Sequence, residues 1–78
     1  MFRKIGEERA FDGILKQIID NIQTGKLKAG DALPAERTMA ETMGVSRAAV
    51  REVLRALELL GILKAVPGGG NYITEDLD

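Results

Sequence analysis

PAERTMAETMGVSRAAVREVLRAL, residues 34–57, is the stretch on which the fold turns. Pro34 suits the first turn of a helix, and the spacing predicts one from just after it to about Met43, with Met39, Ala40 and Met43 inward. Gly44-Val45 breaks that helix. Ser46 is an N-cap residue, so a second helix starts there. Its apolar stripe is Val50, Val53, Leu54, Leu57 and Leu60, all expected to be buried. Ala40 lies four residues before Gly44, Val50 six after it and Val53 three beyond that. A small residue at Ala40 permits close crossing, and a glycine at 44 supplies the positive φ that reverses the chain within a few residues. This is helix-turn-helix spacing, although an ordinary αα-hairpin fits the spacing alone.

Outward from this core, Phe11–Thr24 reads as an amphipathic helix with Ile14, Leu15, Ile18, Ile19 and Ile22 on one face and Gly25 as its stop. Met1–Arg9 is charged and aperiodic, and either extends that helix or forms an arm. Leu27–Pro34 is a connector with a short extended piece near Ala32-Leu33. Gly61 ends the third helix. Ile62–Val66 and Asn71–Thr74 read as strands around the turn Pro67-Gly68-Gly69-Gly70. Tyr72 is expected to pack on the core. Three helices and a hairpin make an α+β fold.

Composition narrows the chemistry. The chain has 78 residues, no His and no Cys, and one domain's worth of core. Imidazole and thiol catalysis, thiolate or imidazole zinc sites and disulfides are excluded, as is a serine triad around Ser46. No cofactor is expected. No apolar run approaches the ~20 residues that cross a bilayer, so no membrane partner is expected and the cytoplasm is the default compartment. The net charge of −1 runs against the basic balance usual for nucleic-acid binding. However, three of the twelve anions lie in the last four residues, leaving eleven cations against nine anions in the rest.

Where the cations lie matters more than their number. Arg47, Arg51 and Arg55 recur at i, i+4 and i+8 on the helix face opposite the Val50 stripe. Arg37 and Arg47 occupy first turns, the end where the helix dipole disfavours a cation. A phosphate or a guanine edge accounts for both placements. The alternative is a solvated face with Arg51 and Arg55 paired to Glu52 and Glu58. Ala48 and Ala49 would let the backbone approach base edges, or are simply good helix formers. Ser46 can cap the helix and still donate to a phosphate. The glycine tip can bring bare amides to a nucleic-acid backbone, or is only a turn.

Leu33-Pro34-Ala35-Glu36-Arg37, Ala40, Gly44-Val45-Ser46-Arg47, Val50-Arg51-Glu52, Leu54, Leu57, Gly61, Gly68-Gly69-Gly70, Tyr72 and Ile73 together resemble the signature of the DNA-binding domain of GntR-family bacterial transcription regulators. The Pro-Ala-Glu-Arg form and the triple glycine are most similar to the FadR-type subgroup. The resemblance implies a winged helix-turn-helix over residues 11–74, preceded by residues 1–10 as arm or helix extension. It makes residues 75–78 the start of an acidic linker to an effector-binding, dimerising domain. The present chain is then an excised domain or a short form. It also implies that Arg37, Ser46, Arg47, Ala48, Ala49 and Arg51 contact double-stranded DNA, with Gly68 and Gly69 at the minor groove. The operator would be a short inverted repeat bound by a homodimer of the full-length regulator. That regulator would be a repressor modulated by a small metabolite, with no effector site in the present residues. Two departures stand out. Family members often carry hydroxyls where Ala48 and Ala49 stand, and a basic or polar residue where Val66 and Pro67 stand. The rival reading from the residues is a winged-helix module that binds protein.

Overall fold

Gly44 adopts φ 67° and ψ 37°, and on it the chain turns between α2 (Glu36–Met43) and α3 (Arg47–Leu59) in a computed structural model that describes residues 1–75. That left-handed conformation costs a residue with a Cβ about 1–2 kcal/mol, which glycine escapes. The Val45 amide donates to Ala40 O at 3.1 Å, closing α2. The Ser46 hydroxyl oxygen accepts from the Ala49 amide at 3.1 Å and caps α3.

α1 (Ala10–Gln23) and α2 both pack on α3. Ile14 and Ile18 of α1, Met39, Ala40 and Met43 of α2, and Val50, Val53, Leu54 and Leu57 of α3 form the buried core. Leu27 and Leu33 from the connector, with Leu63 and Ile73 from the hairpin, complete it.

The hairpin pairs β1 (Leu63–Val66) antiparallel to β2 (Gly70–Ile73), with Val66 opposite Gly70 and Leu63 opposite Ile73. The Gly69 amide donates to Val66 O at 2.8 Å across a tip in which Gly68 has φ 72°. The connector runs along the free edge of β2. Leu33 N donates to Asn71 O at 2.9 Å, Ile73 N to Asp31 O at 2.8 Å and Gly30 N to Ile73 O at 2.9 Å. The extended piece expected near Ala32-Leu33 is thus a bridge from Ala32 to Tyr72. The whole is the winged helix-turn-helix that the family resemblance implies.

Two core expectations are corrected. Leu60 is 72% exposed, not buried. Gly61 N donates to Glu58 O and Ile62 N to Leu57 O, a Schellman closure, so Ile62 rather than Leu60 folds back over the stripe. Tyr72 is half-buried and off the core, because alternation along β2 gives the inward position to Ile73.

The first nine residues neither extend α1 nor stand apart from it. The Arg3 amide donates to Gln17 Oε1 at 2.9 Å, and Gln17 Nε2 donates back to Arg3 O at 2.8 Å. Asn21 Nδ2 donates to Met1 O at 3.3 Å, and the Ile5 amide to Met43 O at 3.0 Å. The strap crosses α1 at Gly13, where a Cβ would lie 2.9 Å from Ile5 Cγ2. Of the acidic stretch 75–78, all but Glu75 lies outside the described residues.

Candidate nucleic-acid interface

The core stripe of α3 leaves its opposite face to solvent, and Arg47, Ala48, Arg51 and Arg55 occupy it. The Ser46 cap sets where that face begins. Ala49 is half-buried against the core, so of the two alanines only Ala48 is fully presented. Arg37 is exposed on the first turn of α2, and Gly68 and Gly69 are exposed at the hairpin tip. The residues singled out from the sequence therefore lie at the solvent-facing starts of two helices and at one loop.

Arg47 and Arg51 are paired, but not to the carboxylates expected. Glu36, the first residue of α2, accepts from Arg51 Nη2 at 2.8 Å on Oε1 and from Arg51 Nε at 3.2 Å on Oε2. Arg47 Nε donates to the same Oε1 at 3.3 Å. Neither Glu52 nor Glu58 forms a salt bridge among the described residues. The turn at Gly44 folds α2 back on α3 and brings Glu36 beside Arg47 and Arg51, 11 and 15 residues away in sequence. The Arg51 hydrogen bond holds the Glu36 carboxyl below its ordinary value; desolvation is the next largest influence and opposes it, while the Arg51 charge and the hydrogen bond and charge of Arg47 add to the lowering. Arg51 is raised in turn by the same carboxylate. Glu36 also answers the unfavourable position of Arg47 at a helix N-terminus.

Arg55 forms no ion pair among the described residues. With Glu36, Arg51, Leu54, Glu58, Ala65 and Asn71 it lines a shallow groove of about 280 Å³ between α3 and the hairpin. Across this groove the arginine face of α3 meets the strands of the hairpin at Ala65 and Asn71. Among the described residues no three carboxylates converge as a metal cluster would, and no helix is long and apolar enough to cross a membrane.

Comparison with known proteins places the geometry. The family model described as "Bacterial regulatory proteins, gntR family" matches residues 11–73. The mannosyl-D-glycerate transport/metabolism system repressor MngR of Escherichia coli K12 is 39% identical over 72 residues, which is 92% of this chain and 30% of that protein. The transcriptional regulator LutR of Bacillus subtilis is 44% identical over 54 residues, 69% of this chain and 25% of that protein. The chain thus spans about a third or less of these relatives' lengths. Among solved structures, a GntR family transcriptional regulator from Listeria monocytogenes superposes with a TM-score of 0.86 at 30% identity, covering 92% of this chain and 63% of that one. AraR(DBD) in complex with operator ORX1 superposes with a TM-score of 0.81 at 26% identity, covering 95% and 93%.

Proposed function

The chain belongs to the GntR family of bacterial regulatory proteins, and we propose that it is the sequence-specific, double-stranded-DNA-reading head of a transcription regulator. The observation that carries this is the exposed Arg47/Arg51 pair near the start of α3, with Arg51 lining a groove shared with the hairpin whose exposed tip holds Gly68 and Gly69. α3 enters the major groove with its N-terminal turn foremost. Arg47 and Arg51 meet guanine edges, Arg37 meets a phosphate, and the Ser46 hydroxyl donates to a phosphate while its oxygen caps the helix. Ala48 supplies a methyl and close approach, with Ala49 behind it. Gly68 and Gly69 bring backbone amides to the minor groove. The relatives solved on operator DNA and named as a repressor support this reading.

The regulator to which this head belongs is a cytoplasmic repressor, not an enzyme. It dimerises on an inverted repeat through a domain outside these residues, and that domain takes the metabolite effector. Residues 1–78 alone are then monomeric and bind half-sites weakly. Selection from a random-sequence duplex pool, followed by fluorescence anisotropy at low and moderate salt, tests the proposal. A recovered consensus, with affinity falling steeply as salt rises, is expected. No binding to any duplex at low salt refutes it and leaves the protein-binding module.

A further inference from the structure

The arginine face is not a loose pair of cations. A guanidinium carries five N–H donors in a planar fork. Arg51 gives its Nε–H and one Nη2–H, the side edge of that fork, to the two oxygens of Glu36. Both Nη1 hydrogens and the outer Nη2 hydrogen remain, and the outer hydrogens of Nη1 and Nη2 form the terminal edge that can span guanine O6 and N7. Arg47 gives only Nε–H to Oε1 and keeps both Nη groups. Glu36 itself is rooted, its side chain 22% exposed against 46% for Arg51 and 60% for Arg47.

We infer that Glu36 is a positioning residue for base selectivity: it holds the side edges of Arg51 and Arg47 so that their terminal edges meet purine acceptors instead of sampling phosphates. This rests on the DNA-reading function proposed above. Two physical effects act in the same direction. An arginine already held has less rotamer freedom to lose when it meets a base. The trio carries one net positive charge instead of two, which weakens attraction to any phosphate while leaving the reading edge intact. A glutamate on the first turn of α2 also suits the helix dipole, but that role would affect every duplex equally.

The test uses the 78-residue chain, the best duplex from the wild-type selection and a scrambled duplex of the same composition. Glu36→Ala and Glu36→Gln are compared with wild type by anisotropy over a salt series, with a melting curve for each. In Glu36→Ala the selected-to-scrambled affinity ratio falls roughly tenfold, within the range that one bidentate base contact commands. Scrambled-duplex affinity holds or rises, with a salt slope steeper by up to about 0.9 as a freed arginine takes a phosphate. Glu36→Gln, which keeps one acceptor oxygen, falls between. A ratio unchanged or raised in Glu36→Ala overturns the inference. So does a fall accompanied by lost scrambled-duplex binding and a collapsed melting transition in both variants, which would assign Glu36 to the fold alone. A wild-type chain that prefers no duplex overturns the proposed function itself, a result distinct from either.

Discussion

Replacing Gly44 isolates one energetic term of the helix-turn-helix. Nothing lies within 4 Å of where a Cβ at Gly44 would stand, so no side chain added there is penalised by a clash at its first atom. What remains is the backbone, held at φ 67°. An alanine in that region costs about 1–2 kcal/mol. A β-branched valine is a stronger outlier, at roughly 2–3 kcal/mol. Asparagine, which tolerates the left-handed region, costs less than alanine. The expected order of stability is therefore Gly, Asn, Ala, Val, the reverse of helix-propensity ranking for asparagine and alanine. For a domain of this size each kcal/mol lowers Tm by roughly 4–8 °C. Urea unfolding followed by helical circular dichroism gives the midpoints, and m should stay constant because the surface exposed on unfolding does not change. Gly6→Ala serves as control, since its backbone is not left-handed and its nearest neighbour lies at 3.6 Å. If Gly44→Ala and Gly44→Val melt with the wild type, or if alanine is better than asparagine, the turn does not owe its stability to this conformation.

Arg47→Ala should cost about 1–3 kcal/mol on the selected duplex and relax base preference; equal weakening on selected and scrambled duplexes would make Arg47 a phosphate contact. Gln17→Leu removes both bonds to Arg3 and should cost roughly 1–2 kcal/mol, with faster tryptic cleavage after Arg3 and Lys4. An unchanged cleavage rate would show that the strap is held by Phe2 and Ile5 alone. Glu36 has a folded pKa below its unfolded one, so its contribution to stability is complete above the ordinary glutamate value and lost as pH falls through the lowered one. The difference in urea midpoint between wild type and Glu36→Gln should accordingly shrink on acidification; a constant difference would remove the ion pair from the account.

The helices were legible because their signals are local. Gly44, the Ser46 cap and the Val50/Val53/Leu54/Leu57 stripe each act within a few residues, and the structure places each where the sequence does. The features that escaped are non-local or polar. Glu36 meets its arginines across sequence separations of 11 and 15, for which no period exists. Gln17 and Asn21 follow Gly13 at helical spacing under the strap, but a search for apolar periodicity passes over buried amides. Leu60 continues the stripe arithmetically and is turned out by a closure that depends on Gly61 and Ile62. Tyr72 was misplaced by a single step of strand phase, which exchanges the two faces of a strand.

The Gly30 and Leu33 amides donate to the hairpin and the Asp31 carbonyl accepts from it, which stitches the hairpin to the segment that runs directly into α2. The helix head and the wing are therefore joined through the backbone, like the two jaws of a caliper. On the proposed function, such a tool does not adjust its span to the operator. The accommodation falls to the double helix, and the energy of widening or bending a groove depends on which base-pair steps lie between the jaws. Nucleotides that no side chain touches would then carry part of the discrimination, entering through their stiffness instead of their edges.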